Sequence, residues 1–150
     1  MYFTIRAQFV APTCSVVTQD ATQTIDMGDM TTYPLESGDS YHKPFTIRLE
    51  KCGGSSNNTV TAKLKFASTN PASGGWFYPN DGAIRGFVLG FTENGVGKKL
   101  IPLGQEVTKK MSTTTTDNKF EFGVMVRRNG SAALVTGDFQ AAATATIIYE

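Results

Sequence analysis

Residues 137–150 read GDFQAAATATIIYE, and this stretch decides the fold class of the chain. Alternate positions place six residues with apolar or aromatic side chains on one face: Phe139, Ala141, Ala143, Ala145, Ile147 and Tyr149. Such alternation is typical of a β-strand with one face against a core. Because the pattern continues to Glu150, it predicts an edge strand that no later strand covers, and exposed strand edges invite pairing with another chain.

Shorter alternating runs predict further strands, and no stretch has a convincing helical period. The runs are residues 1–9, 14–17 with a shorter continuation at 24–27, 45–50, 60–66 and 120–126, and a near-continuous apolar run at 86–91 predicts one more strand. Residues 31–41, 70–82 and 105–118 are predicted loops, and Pro102 predicts an edge position for residues 100–103. Strands at this spacing without helices indicate one antiparallel β-sandwich of immunoglobulin-like character.

Composition narrows the classes of function. The chain has 150 residues, 40% of them hydrophobic and 18% charged, with a net charge of +1. These values are typical of one globular domain and exclude a transmembrane or disordered chain. A near-neutral charge without a basic run argues against nucleic acid and anionic membranes as partners. One histidine, His42, and two cysteines are too few for a zinc site or a histidine-based triad, so no metal and no cofactor are expected.

Cys14 and Cys52 are either two reduced, buried thiols or a disulfide. Cys14 lies just after one strand-like run and Cys52 ends another, which favours the disulfide. Closing a loop of this length contributes roughly 3–4 kcal/mol in the chain-entropy model. A disulfide indicates an oxidising compartment such as the periplasm or the cell surface.

The first nine residues form a strand pattern as clear as the last, separated from the next strand by Pro12. Thr4, Arg6 and Gln8 interrupt the run, so it does not have the continuous apolar core of a signal peptide. Two interpretations stay open. The terminal strands pair with each other within one domain, or each pairs with another chain.

Several segments together resemble the pilins of the chaperone–usher pathway, the subunits of type 1 and P pili. The resemblance covers essentially the whole chain. It rests on Gly137, the fourteenth residue from the end, on the penultimate Tyr149 and on the paired cysteines. Further similar segments are FTIRLEKC at residues 45–52, GFVLGF at 86–91 and GDFQAAATA at 137–145.

The resemblance implies an all-β fold: an incomplete immunoglobulin-like antiparallel β-sandwich that lacks its last strand. Residues 1–11 would be an N-terminal donor-strand extension and residues 12–150 the pilin domain. The implied function is that of a structural pilus subunit that polymerises by donor-strand exchange, with a minor tip or adaptor position favoured. The implied partners are neighbouring subunits on both sides, a periplasmic chaperone and an outer-membrane usher. The implied location is the periplasm during assembly and then a fimbrium on a Gram-negative cell.

The resemblance also implies a site for each role. The donor strand would insert Phe3, Ile5, Ala7 and Phe9, with Ala7 standing where many pilins have glycine. The acceptor groove and chaperone-binding edge would be formed by Gly137, Phe139, Ala141, Ala143, Ala145, Ile147 and Tyr149. Basic residues of the chaperone would hold the terminal carboxylate of Glu150.

Two other functions remain as alternatives. The first is a single-domain adhesive pilin or a carbohydrate-binding module, with a host glycan as partner. It is suggested by Trp76, Phe77 and Tyr78, which lie in a Gly- and Pro-rich loop. The other interpretation of these rings is that they pack over one end of the sandwich. An enzyme built on acidic side chains near His42 is disfavoured because no catalytic motif accompanies them. The acidic residues are Asp26, Asp29, Glu36 and Asp39.

Overall fold

The computed structural model describes residues 4–6, 12–55, 57–93 and 99–150. Within these ranges the chain forms eight strands and two short α-helices. They are β1 (Thr13–Val16), α1 (Thr18–Ala21), α2 (Thr32–Glu36), β2 (Ser40–Gly53), β3 (Thr59–Ala67), β4 (Phe87–Glu93), β5 (Leu100–Ile101), β6 (Val107–Ser112), β7 (Asn118–Arg128) and β8 (Thr144–Tyr149). Short 3₁₀ helices cover Ser73–Gly75 and Gly82–Arg85.

The strands form two antiparallel sheets. The larger sheet has the order β1-β2-β7-β4-β5 and the smaller sheet the order β6-β3-β8. The smaller sheet places β8 at an edge, where it pairs with β3 from Ala67↔Thr144 to Ala62↔Tyr149. The all-β antiparallel architecture that the sequence predicts is confirmed, and β5 is the edge strand expected from Pro102.

The core lies between the two sheets because alternate residues of their strands are apolar. On β3, Val60, Ala62, Leu64 and Phe66 are buried in turn, while the residues between them are more exposed. Phe66 stacks on Phe91 of β4 with 3.9 Å between ring centroids. Aromatic packing of this kind contributes beyond the area that it buries.

Cys14 of β1 and Cys52 of β2 form a disulfide, the second of the two states that the sequence left open. It joins the edge strand β1 to the long strand β2. Asn118 of β7 lies against it and donates from Nδ2 to Cys52 Sγ at 3.7 Å. The disulfide therefore fixes β1 against β2 in the larger sheet.

Three predicted boundaries are wrong. Residues 105–118 contain strand β6, whose alternation is hidden because Lys109 shares the face of Val107 and Met111. Residues 31–41 contain helix α2, since proline is tolerated in the first helical turn. The final strand begins at Thr144 and not at Gly137, because β3 ends at Ala67.

A fourth predicted element has no ladder. Residues 24–27 were predicted as a strand continuation and are not in a sheet, although Ile25 and Met27 alternate in burial with their neighbours. The predicted N-terminal strand lies outside the described residues except for positions 4–6, which have no regular structure.

Candidate functional site: an apolar groove beside the last strand

A groove of about 670 Å³ runs along the sandwich between residues 20–28 and residues 139–145. Its floor consists of core side chains from both sheets and from the loop before β4. They are Phe45, Ile47, Phe66, Phe77, Leu89, Phe91 and Val124. The groove is therefore an opening into the hydrophobic core rather than a surface depression.

Phe45 of β2 lies at the centre of the floor. Its ring centroid is 5.9 Å from that of Phe91, 5.7 Å from that of Phe122 and 6.4 Å from that of Phe66. Despite these contacts Phe45 is only half-buried, whereas the three other rings are buried. One side of this core ring consequently faces the open groove.

The first wall of the groove is the segment that leads into β8. Phe139, Ala141, Ala143 and Ala145 line the groove, as their shared face predicts. Phe139 and Ala141 are half-buried, but Ala143 and Ala145 are exposed. These two alanines belong to the face that packs on the core, so their exposure marks the place where the core is uncovered.

The outer edge of β8 carries backbone groups that turn toward the groove. Glu150 and Thr61 exchange both backbone hydrogen bonds, at 2.9 and 3.0 Å. Because hydrogen-bonded and non-hydrogen-bonded pairs alternate in an antiparallel ladder, the next residues along the ladder take opposite roles. The N–H and C=O groups of Ala145, Ile147 and Tyr149 therefore point away from β3, along the open edge.

The second wall, residues 20–28, is held to β2 by side chains. Asp20 accepts the backbone N–H of Arg48 at 2.7 Å, and Gln23 donates from Nε2 to the carbonyl of Thr46 at 2.8 Å. Ile25 and Met27 then pack against the core and line the groove. The side chains of Asp20 and Gln23 thus continue the pairing that β1 begins.

Two ion pairs flank the groove. Arg48 donates from Nε and Nη2 to Asp20 at 2.8 and 2.9 Å, and this bonding lowers the pKa of Asp20 below its ordinary value of 3.8. Lys63 donates to Glu150 Oε1 at 2.9 Å, which raises the pKa of Lys63 above 10.5. Burial alone raises the pKa of Tyr149 above 10.0. The first pair anchors the wall of residues 20–28, and the second closes the end of β8.

The structure gathers only some of the predicted site residues. Four of the seven on the last strand line the groove, whereas Ile147 and Tyr149 pack against the core beyond it and Gly137 lies before it. Among the predicted donor residues only Ile5 lies in the described ranges, with 89% of its surface exposed. Phe3, Ala7 and Phe9 lie outside those ranges.

Sequence reasoning missed the floor and the second wall as parts of the site. The alternation of Ile25 and Met27 is the signal for the wall, and it was interpreted as a paired strand. The floor has no separate signal, because Phe45 and Phe91 have the same alternating pattern as any core residue.

The aromatic loop does not form an open sugar-stacking surface. Trp76 and Phe77 are 7% and 3% exposed, so both rings are packed, although not over one end of the sandwich, since Phe77 belongs to the core. The guanidinium of Arg127 lies 4.0 Å from the centre of the Trp76 ring, and a Cβ added to Gly90 would lie 2.7 Å from that ring. Trp76 therefore covers the outer face of β4.

The acidic side chains near His42 are all exposed. In the part of the chain that the structure describes, no group of three or more His, Cys, Asp or Glu residues could hold a metal ion. Nor does any helix in the described ranges have the length and apolar character needed to cross a membrane.

A family model described as fimbrial protein matches residues 1–150. The chain belongs to the fimbrial protein family. Fimbria A protein of Serratia marcescens is 28% identical over 98% of this chain and 83% of its own length. The pilin fold is also that of solved structures of pilus subunits.

Two such structures show the agreement in fold. The P pilus rod subunit PapA is 22% identical, with a TM-score of 0.74 over 93% of this pilin and 100% of PapA. A subunit from the structure of a chaperone–usher pilus is 23% identical, with a TM-score of 0.73 over 100% of this pilin and 95% of the other chain. Both likenesses support the incomplete immunoglobulin-like sandwich.

The family and the fold together assign the general role. This fimbrial protein is a structural subunit of a fimbria. Its location is the fimbria on the outside of a bacterial cell. The family is one of structural pilins and not of enzymes.

Proposed function

We propose that the groove receives an extended strand from another pilus subunit, and that residues 1–11 supply such a strand to the next subunit in turn. Residues 12–150 are then the domain that carries the groove. Phe3, Ile5, Ala7 and Phe9 of one subunit enter the groove of its neighbour, and the subunits polymerise head to tail by donor-strand exchange.

The observation that carries this proposal is the groove floor. The half-buried ring of Phe45 faces the groove beside a strand edge whose backbone groups point into the same space. A single added strand satisfies both needs, because its alternate side chains cover the floor while its backbone pairs with β8. Each large side chain that it buries contributes roughly 1.5–3 kcal/mol.

The same groove gives roles to the assembly partners. A periplasmic chaperone occupies the groove with a strand before assembly, and the strand of another subunit replaces it at an outer-membrane usher. In this proposal the protein has no catalytic activity. A minor tip or adaptor position, which the sequence resemblance favours, stays a prediction.

A peptide with the sequence of residues 1–10 tests the proposal. The full chain is melted alone and with the peptide at about 100 times its Kd, where binding adds about 2.7 kcal/mol of stability. For a chain of this size we expect the Tm to rise by at least about 5 °C.

Matched peptides identify the inserted face. Ile5→Asp places a charge on the face predicted to enter the groove, whereas Thr4→Asp places the same charge on the opposite face. We expect the first peptide to lose the Tm increase and the second to keep it. The proposal is wrong if the unmodified peptide has no effect or if both variants behave alike.

A further inference from the structure

The groove wall before β8 is extended without a partner strand. Four alternate carbonyls on the side away from the groove accept hydrogen bonds from three residues outside any strand. Arg85 donates to Thr136 and Asp138, the backbone N–H of Asn80 donates to Gln140 at 2.8 Å, and Ser68 Oγ donates to Ala142 at 3.0 Å. From Thr144 onward, the ladder with β3 takes over.

This alternation extends the open edge beyond β8. Because successive carbonyls of an extended chain point to opposite sides, the backbone of residues 139, 141 and 143 turns toward the groove. No described residue forms a hydrogen bond with the backbone of these three. The edge available to an incoming strand therefore runs from Phe139 to Tyr149.

Arg85 holds the far end of this edge. Its Nη1 donates to the carbonyl of Thr136 at 2.9 Å and its Nη2 to that of Asp138 at 2.8 Å. Asp81 accepts from Nε at 2.6 Å and so fixes the plane of the guanidinium. The side chain is only 17% exposed, and the carbonyl of Arg85 accepts the N–H of Val135 at 3.0 Å.

Gly137 makes this arrangement possible. A Cβ at this position would lie 3.0 Å from Nη1 of Arg85, and the φ of Gly137 is +121°, a conformation that other residues rarely adopt. Since glycine has no side chain, the guanidinium can lie against the backbone and reach the carbonyls on both sides of it. Phe139 follows two residues later and packs edge-on against Phe87, with 4.7 Å between ring centroids.

We propose that Arg85 is a positioning residue that holds residues 136–139 in place and so sets how far along the groove an incoming strand can pair. The inference rests on the proposed function, because it assumes that a strand enters the groove. Arg85 does not line the groove, so it acts through the backbone of the wall.

The direction of pairing gives the inference a sharp test. Every strand pair in the described residues is antiparallel, and an antiparallel donor places its C-terminal end beside Phe139. The effect of Arg85 should then depend on the last residues of the donor. A purely structural arginine would weaken the binding of all donors alike.

The experiment measures dissociation rates of three peptides, residues 1–10, 1–7 and 4–10, from the full chain and its variants. Arg85→Ala is compared with Arg128→Ala, since Arg128 also donates to two loop carbonyls, those of Ala132 and Ser131, away from the groove. Arg85→Lys keeps the charge but loses the planar guanidinium that donates to two carbonyls at once. It replaces Arg85→Ala if that variant does not fold.

We expect Arg85→Ala to speed the dissociation of peptide 1–10 by about 10–100-fold, from the loss of two hydrogen bonds to a charged group. The ratio of the dissociation rate from Arg85→Ala to that from the unchanged chain should be the same for peptide 4–10 and close to one for peptide 1–7. In the complex with peptide 1–10, where the peptide would pair with the N–H groups of residues 139, 141 and 143, hydrogen exchange should also rise at residues 139–143 and not at 144–149. Arg128→Ala should leave every ratio near one.

Two results overturn the inference. Equal ratios for all three peptides would mean that Arg85 acts only on the stability of the domain, and a ratio no larger than that of Arg128→Ala would mean that it does not position the wall. If the unchanged chain binds none of the peptides, the proposed function fails and the inference fails with it. Normal binding without an Arg85 effect removes the inference alone.

Discussion

Replacing Gly137 with alanine tests how the chain enters its last strand. The φ of +121° costs about 1–3 kcal/mol for a residue with a Cβ. The added Cβ would lie 3.0 Å from Arg85 Nη1, so the guanidinium must move away from the carbonyls of Thr136 and Asp138. Because Arg85 is partly exposed, we assign about 1–3 kcal/mol to those two bonds. The expected loss is about 2–6 kcal/mol.

Gly38→Ala is the matched control. Gly38 also has a positive φ, +91°, but an added Cβ would meet nothing within 4 Å. Its cost measures the backbone strain without a clash. The excess for Gly137→Ala, about 1–3 kcal/mol, then measures the displaced guanidinium.

The assay is urea unfolding of the full chain bound to the peptide of residues 1–10. The fluorescence of Trp76, the single tryptophan, reports unfolding because its ring is buried. In an Arg85→Ala background, the cost of Gly137→Ala should fall to that of Gly38→Ala, since the neighbour that causes the clash is absent. An equal cost for both glycines, or an unchanged cost in that background, would refute the reasoning.

Three further predictions concern the floor, the wall and the aromatic loop. Phe45→Ala should destabilise the peptide-bound chain by about 2–4 kcal/mol and the free chain by less, because the peptide covers the open side of the ring. Urea midpoints with and without the peptide measure this difference, and equal losses of stability would contradict the prediction. The lowered pKa of Asp20 gives stability that is present above 3.8 and is lost as the pH falls through the folded value. The advantage of the wild-type chain over Asp20→Asn should therefore shrink as the pH is lowered through and below 3.8, and a constant difference in urea midpoint would exclude this role. Trp76→Ala should cost about 3–5 kcal/mol by circular dichroism melts, because it uncovers β4, and a stable variant would show that the ring is not a structural cover.

The sequence could predict the features that repeat along the chain. Alternation on β3 and β7 gives the sandwich, and the positions of Cys14 and Cys52 favour the disulfide. The pattern of the last fourteen residues predicts the groove-facing alanines Ala143 and Ala145. The prediction of the sandwich is confirmed because it depends on the side-chain period of a strand, whereas the role of the two alanines in receiving a strand stays a prediction.

The features that the sequence could not predict depend on contacts between residues that are far apart along the chain. Strand β6 is hidden because Lys109, an exposed residue that donates to the carbonyl of Lys119 at 2.6 Å, interrupts the apolar alternation of Val107 and Met111. Residues 24–27 have a strand pattern, yet the pattern cannot say whether a partner lies beside them. Arg85 is one charged residue in a loop, and nothing in the sequence connects it to Gly137.

The two walls of the groove differ in how they are fastened. One wall continues into the ladder between β8 and β3, whereas the other is tied to β2 by Asp20 and Gln23 and then runs on through Ile25 and Met27 without a ladder of its own. An incoming strand with larger or smaller side chains would consequently be accommodated by displacement of residues 20–28, while the ladder between β8 and β3 stays in place. Among related subunits, we expect differences in the size of the donor side chains to be matched by substitutions at positions 25 and 27, while the opposite positions 141, 143 and 145 keep small residues.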